Sequence, residues 1–93
     1  MILLKRQKKE AILIMTAKEM FEELGYEYKE IKTIIFRNIQ YKKYSKIILF
    51  RDDKCIIPYC DYGDGEEGST LLNLKEWQAI NKQIEELGWN KED

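Results

Sequence analysis

The chain has 93 residues, 44% hydrophobic and 12% aromatic, with a formal net charge of −1 and no histidine. That suffices for one small core without metal or disulfide staples, and such a charge balance argues against a general nucleic-acid binder, which is normally basic. Without histidine the commonest acid–base group and every Ser-His or Cys-His nucleophile pair are gone; with no P-loop and no dinucleotide fingerprint either, the chain reads as a non-enzyme that needs no cofactor.

Residues 1–14 join an apolar start to the basic cluster Lys5-Arg6-Gln7-Lys8-Lys9 and a second apolar run that reaches Met15. Two readings stand. The segment is an N-terminal extension, disordered or a start-site artefact ahead of a true start at Met15, or it is a genuine arm that adds a strand or covers part of the sheet. Lys9-Glu10-Ala11 fits codons that would carry a ribosome-binding sequence just upstream of Met15. No apolar run approaches the ~20 residues of a membrane span, so the cytoplasm is the expected address and no membrane contact is expected.

Residues 15–93 read as a single α+β domain. Thr16 with Glu19 forms a capping box, Met15 and Met20 a hydrophobic staple, and Ala17, Met20, Phe21 and Leu24 an apolar helical stripe. Gly25 supplies the left-handed residue that ends the helix and folds Tyr26 back on Phe21. Three β-branched runs follow, Ile31 to Ile39, Lys46 to Arg51 and Cys55 to Tyr62, with turns at Tyr41–Ser45 and Arg51–Lys54 and a short fourth strand expected at Ser69 to Leu72. A second capped helix opens at Asn73 with Glu76, and Leu74, Trp77, Ile80, Ile84 and Leu87 form its expected buried stripe. Gly88 closes it, placing Trp89 to pack on Ile84. The expected fold is a two-layer α+β sandwich, α-β-β-β-α, in which the two helices flank an antiparallel meander of three to four strands.

Charge is uneven: +3 over residues 1–14, +2 over 15–60 and −6 over 61–93. The basic share around the first hairpin, Arg37, Lys42, Lys43, Lys46 and Arg51 with Tyr44 among them, makes a candidate patch for single-stranded nucleic acid. Its competitor is an ordinary Lys-rich hairpin whose charge guards a strand edge. The acidic loop Asp61–Gly68 presents oxygens but lacks the spacing of an EF-hand, so no metal is expected there. Cys55 and Cys60, five residues apart on one strand, point to opposite faces ~16 Å apart, which favours two buried free thiols over a disulfide. Pro58 between them implies an edge strand or a bulge.

Both alternating sets of the strands are apolar, unlike a half-exposed antiparallel sheet. If both helices cover one face, the other needs a protein partner, a second copy or the N-terminal arm. Ile35, Ile48, Phe50, Ile57 and Tyr59 are the candidate residues of that interaction face.

Met15-Thr16-Ala17-Lys18-Glu19-Met20-Phe21-Glu22-Glu23-Leu24-Gly25-Tyr26-Glu27, together with the helix from Leu74 to Gln78-Ala79-Ile80-Asn81-Lys82-Gln83-Ile84-Glu85-Glu86-Leu87-Gly88-Trp89, resembles a group of small uncharacterised phage, prophage and mobile-element proteins of Firmicutes. The likeness covers both ends of the domain, is loose in the middle and excludes residues 1–14. It implies an accessory protein of an infected or lysogenic cell and assigns no functional residue. The expected activity is protein binding, including modulation or inhibition of a host factor; the alternative is weak binding of single-stranded nucleic acid through residues 37–51.

Overall fold

The computed structural model describes residues 15–63, 65 and 67–91; the two readings of residues 1–14 lie outside them. Helix α1 (Ala17–Glu23) starts where its capping box demands. The Thr16 hydroxyl accepts from the Glu19 N–H at 3.1 Å, and the Glu19 carboxylate accepts from the Thr16 N–H at 3.0 Å. At its end Gly25 takes φ +91°, and the Tyr26 N–H donates to the Phe21 carbonyl at 3.0 Å, which brings the two rings edge to face with centroids 5.5 Å apart.

Five antiparallel strands follow in the order β1 (Glu27–Lys32), β2 (Arg37–Lys43), β3 (Lys46–Phe50), β4 (Ile56–Asp61) and β5 (Glu67–Gly68), before helix α2 (Leu74–Leu87) closes the domain. The α-β-β-β-α layout holds, but the meander has five strands rather than three to four. The expected strand from Ile31 to Ile39 is in fact a hairpin. Thr33 turns the chain there: its hydroxyl accepts from the Ile35 and Phe36 N–H groups, and its own N–H donates to the Phe36 carbonyl at 2.8 Å. The first strand escapes a hydrophobic search because Glu27-Tyr28-Lys29-Glu30-Ile31-Lys32 is mostly charged, as befits an edge. Likewise the last strand is Glu67–Gly68, not Ser69 to Leu72.

The turns are tighter than their sequences suggest. Lys43 pairs with Lys46, so only Tyr44 and Ser45 lie outside the ladder, with Tyr44 at φ +55°. Between β3 and β4 the Lys54 N–H donates to the Arg51 carbonyl and Lys54 takes φ +67°. A side chain in that left-handed conformation costs free energy that glycine does not incur. Lys54→Gly is therefore expected to raise stability by roughly 0.5–1 kcal/mol, read as a higher urea midpoint at unchanged slope.

Both described helices lie on one face of the sheet. Phe21 stacks on Tyr41 with centroids 3.9 Å apart, and Tyr26, Ile39, Ile48, Phe50, Ala79 and Ile80 complete the core. Helix α2 is rotated from its expected phase. Its buried line is Glu76, Ala79, Ile80 and Gln83, with Ile84 and Leu87 partly buried, while Leu74 and Trp77 stand exposed. Two polar residues displace two apolar ones because each has a partner below: the Tyr41 hydroxyl donates to Gln83 Oε1 at 2.6 Å, and Tyr26 and Lys46 reach Glu76.

Candidate interaction face

Strand parity and register decide which side chains remain for function. The pairs Tyr41↔Ile48, Ile48↔Pro58, Ile39↔Phe50 and Phe50↔Ile56 all face the helices. The alternate pairs Gln40↔Leu49, Leu49↔Ile57 and Ile47↔Tyr59 point to the opposite side, where no helix packs among the described residues. Leu49, Ile57 and Tyr59 there are half-buried and Ile47 is buried.

The five residues expected to form one face divide three ways. Ile57 and Tyr59 lie on the open side. Ile48 and Phe50 belong to the core beneath the helices and leave the candidate surface. Ile35 sits in the β1–β2 turn, where Ile34 and Ile35 are 103% and 85% exposed. Leu49 and Phe36 were missed as members of the face. The signals that place Leu49 are two turns: counting back from Lys43↔Lys46 sets it against Gln40, and the turn closed by the Arg51 N–H on the Cys55 carbonyl sets it beside Ile57.

A shallow hollow of about 620 Å³ opens on this side. Phe36, Asn38, Leu49 and Ile57 line it, and the turn at Arg51, Asp52 and Asp53 forms its rim. Asn38 Oδ1 accepts from the Asp52 N–H at 3.0 Å, which ties the rim to β2. Arg51 pairs with Asp53 at 2.8 Å. Such an arrangement suits an apolar side chain entering from outside, guided by rim charge.

The basic patch does not hold together. Arg37 pairs with Glu30 at 2.8 Å and Arg51 with Asp53, both at the end of the sheet away from the Tyr44 turn. Lys46 turns under α2, where its ammonium contacts Glu76 at 2.7 Å and the Leu71 carbonyl at 2.6 Å. Lys42, Lys43 and exposed Tyr44 stay together, lining with Gly25 and Glu27 a hollow of about 420 Å³. Three of the five cations are thus neutralised by neighbouring carboxylates, which removes the continuous track a phosphate backbone would need.

Among the described residues Glu76 is the most heavily engaged polar group. Its carboxylate accepts from Tyr26, from Lys46 and from the Asn73 N–H at 2.8 Å, while Asn73 Oδ1 accepts from the Glu76 N–H at 2.8 Å. Burial by itself would raise the Glu76 pKa, but the hydrogen bonds from Lys46, Tyr26 and Asn73 outweigh it and hold the carboxyl below its ordinary value. Burial and then the bond to Glu76 push the Tyr26 phenol well above the usual tyrosine range. This cluster is structural in design: it fastens the start of α2 to β3 and to the end of α1.

Both cysteines are free; Cys60 is half-buried and Cys55 exposed, which corrects the expectation of two buried thiols. Cys55 precedes β4 in the turn, outside the ladder. Pro58 sits where β4 lacks a second neighbour among the described residues, since β5 pairs only with Cys60 and Asp61, and this meets the requirement that proline occupy an edge. Asp64 and Glu66 of the acidic loop lie outside the described residues, and no helix among those described is long and apolar enough to cross a membrane. No known protein family, curated protein or solved structure matches the chain.

Proposed function

We propose that this protein is a non-enzymatic protein-binding module that works through the open side of its sheet, as a cytoplasmic accessory protein of a phage or mobile element that modulates a host factor. One observation carries the binding reading. β3 and β4 are apolar on both sides, yet both described helices pack on the same one, leaving Phe36, Leu49 and Ile57 around a hollow, with Tyr59 on the same side, that no described helix covers. Apolar side chains grouped with a charged rim are what a partner surface needs, and scattered single exposures are not. The phage setting is supported by the likeness of the two capped helices to phage and prophage proteins.

The test is capture from host lysate by the tagged full chain, with and without nuclease. A protein that survives nuclease and added salt, and is recovered at least ~10-fold less by Ile57→Asp, supports the reading. Loss of the captured material on nuclease treatment, or in the variant Lys42→Glu with Lys43→Glu, would replace it with nucleic-acid binding at the Tyr44 turn. Melting curves confirm that each variant is folded.

A further inference from the structure

The two sides of the sheet's ladder end differently. At β4 the Asp61 N–H donates to the Ser45 carbonyl at 2.8 Å and the Cys55 carbonyl accepts from the Arg51 N–H at 2.9 Å, so the alternate residues Ile56, Pro58 and Cys60 turn their backbone groups outward. Pro58 has no N–H to offer there, and β5 already takes Cys60. That edge is closed to a further strand.

β1, at the other edge, carries no such stop. The Thr33 N–H closes its hairpin on the Phe36 carbonyl at 2.8 Å, so Tyr28, Glu30 and Lys32 turn their N–H and C=O groups away from β2. No described strand meets them. The ladder runs from Glu27 to Lys32 without a bulge, and the strand contains no proline. Charge of one sign along an edge repels a second copy, but here it alternates through Glu27, Lys29, Glu30 and Lys32.

The charges also select a register. Two-fold antiparallel pairing of β1 with itself sets residues of the same sheet face opposite each other. Centred on Lys29 it opposes two lysines, and centred on Glu30 two glutamates. Centred on Ile31 it sets Glu30 against Lys32 twice and places the two half-buried Ile31 side chains together. Lys32 lies across from Arg37 in its own sheet and has no acidic partner among the described residues. Glu30 holds Arg37 through Oε1 at 2.8 Å and accepts from the Tyr28 hydroxyl on Oε2 at 3.2 Å, which leaves carboxylate lone pairs for a second cation.

We infer that β1 pairs with β1 of a second copy of the chain, antiparallel and centred on Ile31, so that Glu30 of each copy meets Lys32 of the other and the two sheets become one. The inference concerns the strand edge rather than the open side, and it stands apart from the binding reading above. The contact is small, which places its dissociation constant on the order of 100 μM.

Single cysteines in the full chain, on a background of Cys55→Ser and Cys60→Ser, read the register. The two Ile31 positions form a non-hydrogen-bonded pair with Cα atoms about 4.5 Å apart, within disulfide reach. Under oxidation Ile31→Cys should therefore yield linked dimers at least ~10-fold faster than Lys29→Cys, whose two copies stand ~13 Å apart along the strands. Sedimentation of the chain with its native cysteines should show a dimer near 100 μM, flagged by its concentration dependence, and Glu30→Lys and Lys32→Glu should each weaken it at least ~10-fold, because like charges then meet twice. Mixed in equal amounts, these two variants should recover the dimer, because both pairs are then of opposite sign. A purely structural role of either residue produces no such rescue. A full chain that stays monomeric to about 1 mM, its edge unpaired or taken by residues 1–14, overturns the inference. So does equal linking by Ile31→Cys and Lys29→Cys, or a dimer indifferent to both charge reversals.

Discussion

Replacing Glu76 by alanine is expected to cost about 3–5 kcal/mol, much of what a domain of this size possesses. The substitution removes half of the α2 capping box and, more seriously, strands the Lys46 ammonium beneath the helix with only the Leu71 carbonyl to hold it. Lys46 is half-buried, so water compensates only part of the lost charge partner. Glu76→Gln keeps one oxygen, enough for the Asn73 N–H or for Tyr26 but not for both at their separate positions, and gives up the charge, so it should fall between wild type and alanine in urea unfolding. The pH dependence follows from the lowered pKa. A carboxyl held below its ordinary 4.5 in the folded chain contributes its full stabilisation above that value and loses it as pH falls through the folded value. Wild type should therefore lose more stability below pH 4.5 than Glu76→Gln does. Equal losses in the two proteins would show that Glu76 carries no charge-dependent stabilisation.

Phe21→Ala should be about as damaging, roughly 3–5 kcal/mol, while Trp77→Ala should cost less than about 1 kcal/mol. Phe21 is wholly buried, stacked on Tyr41 and edge-on to Tyr26 and Phe50, so its loss leaves a cavity bounded by rigid rings. Trp77 is 49% exposed and belongs to none of the ring contacts of the core. By size and hydrophobicity alone the order would be reversed, so thermal unfolding of the two variants tests the observed phase of α2 directly. A larger loss for Trp77→Ala would mean that α2 packs with its other face inward.

That contrast shows where the chain is legible on its own and where it is not. The ends of both helices could be read because their chemistry is local: Thr16 with Glu19, Asn73 with Glu76, Gly25 and Gly88 each act within a few residues. The phase of α2 could not, because Glu76 and Gln83 are drawn inward by Tyr26, Lys46 and Tyr41, between 30 and 50 residues away along the chain. The run from Ile31 to Ile39 misled for a different reason. β-branched residues favour strands, but a single threonine hydroxyl outweighs that preference by satisfying two backbone donors in a turn. The candidate face suffered from both effects, since one hidden turn and one uncounted two-residue loop change which alternate residues share a side. Leu49 then joins Ile57, while Ile48 and Phe50 go under the helices.

Every strand of this sheet pairs with its neighbour in the chain, whereas the helices meet across nearly its whole described length, with Glu86 accepting from the Ala17 N–H at 2.8 Å over a separation of 69 residues. The sheet can therefore assemble hairpin by hairpin, each step closing only a short loop. The helix pair, with the Tyr26–Glu76 bond beside it, is the clasp that needs both ends of the domain at once. A partner of the proposed kind, seated on the side of the sheet away from the helices, would touch only the part built from short loops.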